Sequence, residues 1–175
     1  AHSLKHKFKI LYKGKNNFVA HECILDFRDL KSKTGLSVND LAKRLIDYSF
    51  HAPTISWPVP ETIMIEPTES ESLVELDRFC EAMLLIGEEI SEIEKNIELK
   101  NNNVISNAPH TLKELIADDW HYPYSKEKAS FPYKTPTSIK FWSSVSRINN
   151  AYGDRNLICS CNVNQGETFE EKKCA

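Results

Sequence analysis

Apolar positions recur every second residue near the start of the chain and every third or fourth residue further on. "FKILY", Phe8 to Tyr12, is rich in aromatic and branched residues and predicts a strand. "KGKNN" predicts the turn after it, with Gly14 and two asparagines that tolerate positive φ. "VAHECILDF" resumes as a strand, with His21, Cys23, Leu25 and Phe27 on one face and Glu22, Ile24 and Asp26 on the other. The pair reads as a β-hairpin.

In "SVNDLAKRLIDYSF" the period changes. Val38, Leu41, Leu45 and Tyr48 form one helical stripe, with Ser37 as N-cap and Asp40 at the third helical position. "ETIMI", Glu61 to Ile65, predicts another short strand, and a further one lies near Thr54 to Trp57. Leu76, Phe79, Met83, Ile86, Ile90, Ile93 and Ile97 then mark a long amphipathic helix over roughly residues 69 to 98. "EPTESE" precedes that stripe. Thr68 followed by Glu71 is a capping-box spacing, and Glu69 and Glu71 would meet the positive end of the helix dipole. The acidic cluster therefore reads as a helix start; no other ligand of suitable spacing lies nearby to make it a metal site.

The order β-β-α-β-α predicts an α/β fold, an antiparallel sheet with helices packed on one face. Residues 1–99 form the expected core. From Leu99 the character changes: "KNNNVISNAP" is a polar linker, and "HTLKELIADDW" is a short helix with Thr111 as N-cap and Glu114 completing the box. The rest of residues 100–161 is irregular and aromatic-rich, with Trp120, Tyr122, Tyr124, Phe131, Tyr133, Phe141 and Trp142. Such an arm either wraps its own core or lies over another domain or subunit, and the second is the reading taken for Trp120 to Trp142. Residues 162–175 read as a disordered tail.

Hydrophobic residues make up 41% and charged residues 27%, which places the chain among globular proteins. A formal charge of −3 with no Lys/Arg stripe argues against nucleic acid, and no apolar run is long enough to span a membrane. The five cysteines, Cys23, Cys80, Cys159, Cys161 and Cys174, form no disulfide framework, which suits a reducing compartment. Cys159-Ser-Cys161 lacks the second pair that a zinc site needs. No P-loop, dinucleotide fingerprint or nucleophile elbow is present, and five glycines are few for a backbone phosphate cradle.

One histidine stands out. His51 leaves a helix and enters "APT", where Pro53 forces Ala52 to be extended, and Pro58 and Pro60 stiffen the next part of the chain. An imidazole on such a loop at a sheet edge is a good positioning element; the alternative is a helix-end histidine bonded to the last carbonyls. His21 reads as a core histidine.

Several collinear stretches resemble the P-protein of the glycine cleavage system, the decarboxylating glycine dehydrogenase family. They are "VAHECILD", "AKRLIDYSFHAPTISWPV", "MIEPTESES", "ELDRFCEAM", "NAPHT", "PYSKEKASFP", "KFW" and "YGDRNLICSC", and they match the C-terminal end of that enzyme. The resemblance implies the small C-terminal domain of a fold-type I pyridoxal-phosphate enzyme, an antiparallel sheet with helices on one face. It implies release of CO2 from glycine with the cofactor as electron sink, and transfer of the aminomethyl group to the lipoyl arm of the H-protein. The partners implied are the large domain of the same enzyme, the lipoylated H-protein and a second copy in a homodimer. The expected location is the cytoplasm of a bacterium, or the mitochondrion of a eukaryote.

The cofactor lysine of the family follows a histidine near a glycine-rich stretch. His6-Lys7 leads straight into "FKILY", so that role is not carried to Lys7, and no residue of this chain is assigned to cofactor binding or metal. His51, Pro53 and Thr54 are the matched residues expected nearest the active site. Ser49 and Glu61 stand where the family usually has glycine. By itself the chain is expected to be inactive, and a non-catalytic binding or regulatory module that reuses the domain is the competing class.

Overall fold

A computed structural model describes residues 1–96, 99–133 and 140–158. The expectations for Ile97, for Cys159, Cys161 and Cys174, and for the tail fall outside these residues. The body consists of β1 (Lys9–Leu11), β2 (Cys23–Asp26), α1 (Leu30–Thr34), α2 (Val38–Asp47), β3 (Thr54–Ile55), β4 (Thr62–Ile65) and α3 (Leu73–Lys95). Helices α4 (Leu112–Ile116), α5 (Lys126–Ser130) and α6 (Asn150–Arg155) come after it. The strands form one antiparallel sheet in the order β1-β2-β4-β3.

Register explains the core. Ile10 lies opposite Leu25, and Leu25 lies opposite Ile63, so three apolar side chains cross one face of the sheet in a row. Leu41 and Leu45 of α2 and Met83 and Ile86 of α3 close over that face and are fully buried. Burial of each such side chain is worth about 1.5–3 kcal/mol. The expected α/β arrangement, with helices against the sheet, is what forms.

Strand ends depart from the hydrophobic pattern. Tyr12, Asn16 and Asn17 adopt positive φ, so β1 stops at Leu11 and the two asparagines make the turn. Strand β2 begins only at Cys23. His21 therefore lies outside it, exposed and beside Glu22 at 3.4 Å, and is not a core histidine. Helix α1 was not expected from apolar spacing; its signal is Gly35, which ends it at φ 81, a conformation that costs glycine nothing.

The long helix also starts later than expected. Ser72 is its N-cap, accepting a hydrogen bond from the Glu75 N–H at 3.2 Å, whereas Thr68 only closes a turn with Glu71. Both threonine and serine are followed by glutamate at the right spacing. Most helical stability comes from burying an apolar face, and residues 69–72 have none to offer. Ser72→Ala should therefore cost about 0.5–2 kcal/mol. Thr68→Ala should stay within about 0.5 kcal/mol. Urea melts of the two variants check this, and the opposite ranking would return the cap to Thr68.

The segment after Leu99 is tied to the body through buried charge. Arg44 of α2 is fully buried and all five of its N–H groups are used. It bonds Glu89 of α3 at 3.0 and 2.6 Å, Asp47 at 2.9 Å, and the carbonyls of Ala129 and Lys128 at 2.7 and 2.8 Å. Burial opposes its charge, but Glu89 and Asp47 more than offset that and hold its pKa above the ordinary arginine value. Asp47 also accepts from the His110 backbone N–H at 2.8 Å and pairs with the His110 ring at 2.9 Å. The far ring nitrogen of His110 meets the Tyr124 hydroxyl at 2.9 Å, and Trp120 and Tyr122 pack around it. Arg147 reaches back to Asp40 at 2.8 Å near the start of α2. The expected Thr111–Glu114 box caps α4.

Candidate functional site

Helix α2 carries complementary charge at both ends, and its C-terminal end sets the loop that holds His51. At the N-terminus, Asp40 accepts from the Ser37 N–H at 2.8 Å and Glu61 accepts from the Val38 N–H at 3.1 Å. At the C-terminus, the Ser49 N–H bonds the Ile46 carbonyl and the Phe50 N–H bonds the Leu45 carbonyl, both at 2.9 Å. This is a Schellman closure, with Ser49 at φ 64 in the place that favours glycine. Two remaining carbonyls take cations: Tyr48 accepts from Arg78 at 3.1 Å, and Asp47 accepts from the Lys140 ammonium. Acidic groups at the start and basic groups at the end both suit the helix dipole.

Ser49 and Glu61 both have positive φ, as expected of positions where glycine is usual. Each side chain offsets part of its strain. Ser49 Oγ accepts from the Phe141 N–H at 3.0 Å, and Glu61 caps α2.

Beyond Phe50 the chain crosses His51, Ala52 and Pro53 and then joins the sheet, where Thr54 pairs with Met64. Ala52 packs on the core. His51 is exposed and its imidazole has no partner among the described residues. The helix-cap reading of His51 is thereby replaced, because Arg78 and Lys140 hold the last carbonyls. Pro53 is half-buried and Thr54 exposed, and no hydrogen bond or ion pair among the described residues joins either side chain to the ring. What it offers is an unpaired imidazole on a loop fixed at both ends, able to donate or accept one hydrogen bond toward a group outside this chain.

Lys140 is the other polar group of this corner. Burial pushes its pKa down to about 8, against the pull of Asp47. The unfolded lysine holds its proton to about pH 10.4. Between these values the unfolded state binds more protons, so stability from this residue rises with pH across the window and is lost as pH falls through 8. Urea midpoints measured at about pH 7 and pH 10 should differ less in Lys140→Met than in the parent chain. Equal pH dependence in both would remove Lys140 from the corner.

Sequence reasoning missed the Arg44–Asp47–Glu89–His110 cluster. The signal was present: Arg44 falls within the α2 stripe beside Leu41 and Leu45, and Glu89 within the α3 stripe between Ile86 and Ile93. Charges inside apolar stripes announce buried pairs.

The donors around Lys7 do not fit a phosphate-bearing pyridoxal cofactor. Lys7 lies across α3 at Gly87, where an added Cβ would stand 2.7 Å from its side chain, and it is spent on Glu88 and Ser91 at 2.8 and 3.0 Å. The adjoining cavity of about 320 Å³ is lined by Asp26, Asp29 and Glu94 as well as by lysines, and Lys9 there is paired with Asp26 at 2.9 Å. Among the described residues no group of three or more His, Cys, Asp or Glu side chains is placed to hold a metal ion.

The family model for the C-terminal domain of glycine dehydrogenase matches residues 1–110. The chain belongs to the glycine dehydrogenase family. A glycine dehydrogenase (decarboxylating) of Prochlorococcus marinus is 60% identical over 154 residues, covering 88% of this chain and 16% of the relative. One from Thermosynechococcus vestitus is 55% identical over 163 residues, 93% of this chain and 17% of the relative. A Dictyostelium discoideum protein of the same name, described as mitochondrial, is 55% identical over 161 residues, 92% of this chain and 16% of its own length. The chain thus spans about a sixth of the glycine dehydrogenases it matches. The matches to these relatives, at 154 to 163 residues, are longer than residues 1–110. No helix among the described residues is long and apolar enough to cross a membrane.

Proposed function

We propose that this glycine dehydrogenase domain works as the C-terminal part of a pyridoxal-phosphate-dependent glycine decarboxylase of the glycine cleavage system. The enzyme releases CO2 from glycine and passes the aminomethyl group to lipoylated H-protein. The cofactor, when bound in the remainder of the enzyme, supplies the electron sink; the residues described here supply none of its anchors. Their task is to hold the His51 loop toward the cleft between the two domains. The observation that carries this reading is the exposed His51, without a partner among the described residues, on a loop fixed on both sides, in a chain whose 60% identical relative is decarboxylating glycine dehydrogenase. Exposed Phe141, Val145 and Ile148, each more than half open to solvent, give the larger part of the enzyme an apolar surface to cover. The assembly is a homodimer in the cytoplasm of a bacterial cell or in the mitochondrion of a eukaryotic one; two of the three relatives compared are from bacteria and the Dictyostelium discoideum protein is described as mitochondrial.

The experiment is direct. The chain is mixed with pyridoxal phosphate and glycine, followed by visible absorbance, reduced with borohydride and mapped. No stoichiometric lysine adduct and no CO2 release are expected. One fully modified lysine with turnover would mean that this chain holds its own cofactor site.

A further inference from the structure

We infer that Arg78 is a positioning residue for the His51 loop, acting through Phe50. The inference rests on the reading that His51 meets the reacting groups. Phe50 immediately precedes His51, and its ring is held on two sides. The Arg78 guanidinium carbon stands 3.7 Å from the ring centroid, and Phe79 meets the ring edge-on at 5.2 Å. The same guanidinium bonds the Tyr48 carbonyl at 3.1 Å through one nitrogen and the Glu75 carboxylate at 3.0 and 2.8 Å through the other two.

One planar group therefore stacks on Phe50, caps α2 and is itself oriented by Glu75. The Arg78 side chain is only 14% exposed, so water competes little for these contacts. Lysine cannot replace it, because an ammonium cannot stack flat and fork toward two acceptors at once. Across the loop, the pairing of Thr54 with Met64 fixes the other end. His51, Ala52 and Pro53 span two anchors, and at the α2 end Arg78 adds a side-chain hold on the Phe50 ring to the backbone bonds of Ser49 and Phe50. Glu75 and Arg78 lie in the first turns of α3, so the start of that helix at Ser72 aims both groups.

The test uses the 175-residue chain. The His51 ring carbon-bound proton is followed by NMR, assigned from the signal lost in His51→Gln. In Arg78→Lys and in Phe50→Leu the signal should shift or broaden, with the melting temperature moving by less than about 4 °C. An unchanged His51 signal in both variants overturns the proposal. The activity arm grafts the chain onto the remainder of the Prochlorococcus marinus relative. There Arg78→Lys should lower kcat/KM roughly tenfold, as misplacement of a reacting group does. A silent Arg78→Lys beside a costly His51→Ala overturns the positioning role alone. A silent His51→Ala removes the reading beneath it, and this proposal with it.

Discussion

Arg44→Met should remove about 3–5 kcal/mol of stability, because Glu89 and Asp47 are then left as buried carboxylates without their counter-charge. Domains of this kind have about 5–15 kcal/mol in total, so the variant should stand near the edge of folding. The loss has a second part, since the Lys128 and Ala129 carbonyls also lose their donor. Removing Glu89 together with Arg44 should cost less than removing Arg44 alone. Arg44→Met combined with Glu89→Leu no longer buries the unpaired Glu89 carboxylate and leaves Asp47 paired with His110, so it should recover part of the loss. Urea melts followed by circular dichroism measure both. A single variant within about 1 kcal/mol of the parent would show that the cluster does not hold the later segment to the body.

The fold was legible where apolar spacing and core burial coincide. The α2 stripe, the later part of the long α3 stripe and the strands around Ile10, Leu25 and Ile63 needed only periodicity, because the same side chains build the core. Caps were legible where one frame fits, as at Ser37 and Thr111, and misread where two frames overlap, as at Thr68 and Ser72. Sequence spacing cannot weigh a cap against the apolar contacts that come after it. The candidate site was half legible. Proline spacing and family resemblance pointed to His51, but what fixes its loop comes from far along the chain. Arg78 and Lys140 reach the end of α2 from α3 and from the C-terminal segment, and no local pattern ties them to it. Lys128 and Ala129 were unreadable for the same reason, since they act through backbone carbonyls.

His51→Ala separates chemistry from architecture. In the grafted enzyme it should lower the rate of glycine decarboxylation by tenfold or more, on the order of 1.4 kcal/mol of transition-state stabilisation. In the isolated chain it should change stability by less than about 1 kcal/mol, as expected for an exposed side chain. A destabilised but fully active variant would return His51 to architecture, against the absence of any hydrogen bond to its ring among the described residues.

The most direct measurement is the activity of the graft itself. The Prochlorococcus marinus relative, 60% identical over the matched 154 residues, is prepared without its matching C-terminal region and again with this chain in that place. Release of labelled CO2 from glycine is followed with pyridoxal phosphate and lipoylated H-protein present. The shortened enzyme should be inactive, and the graft should recover activity to within about tenfold of the intact relative. A folded, cofactor-loaded graft with no CO2 release, or a shortened enzyme that works as well as the intact one, would contradict the assignment of this chain as a working part of the decarboxylase.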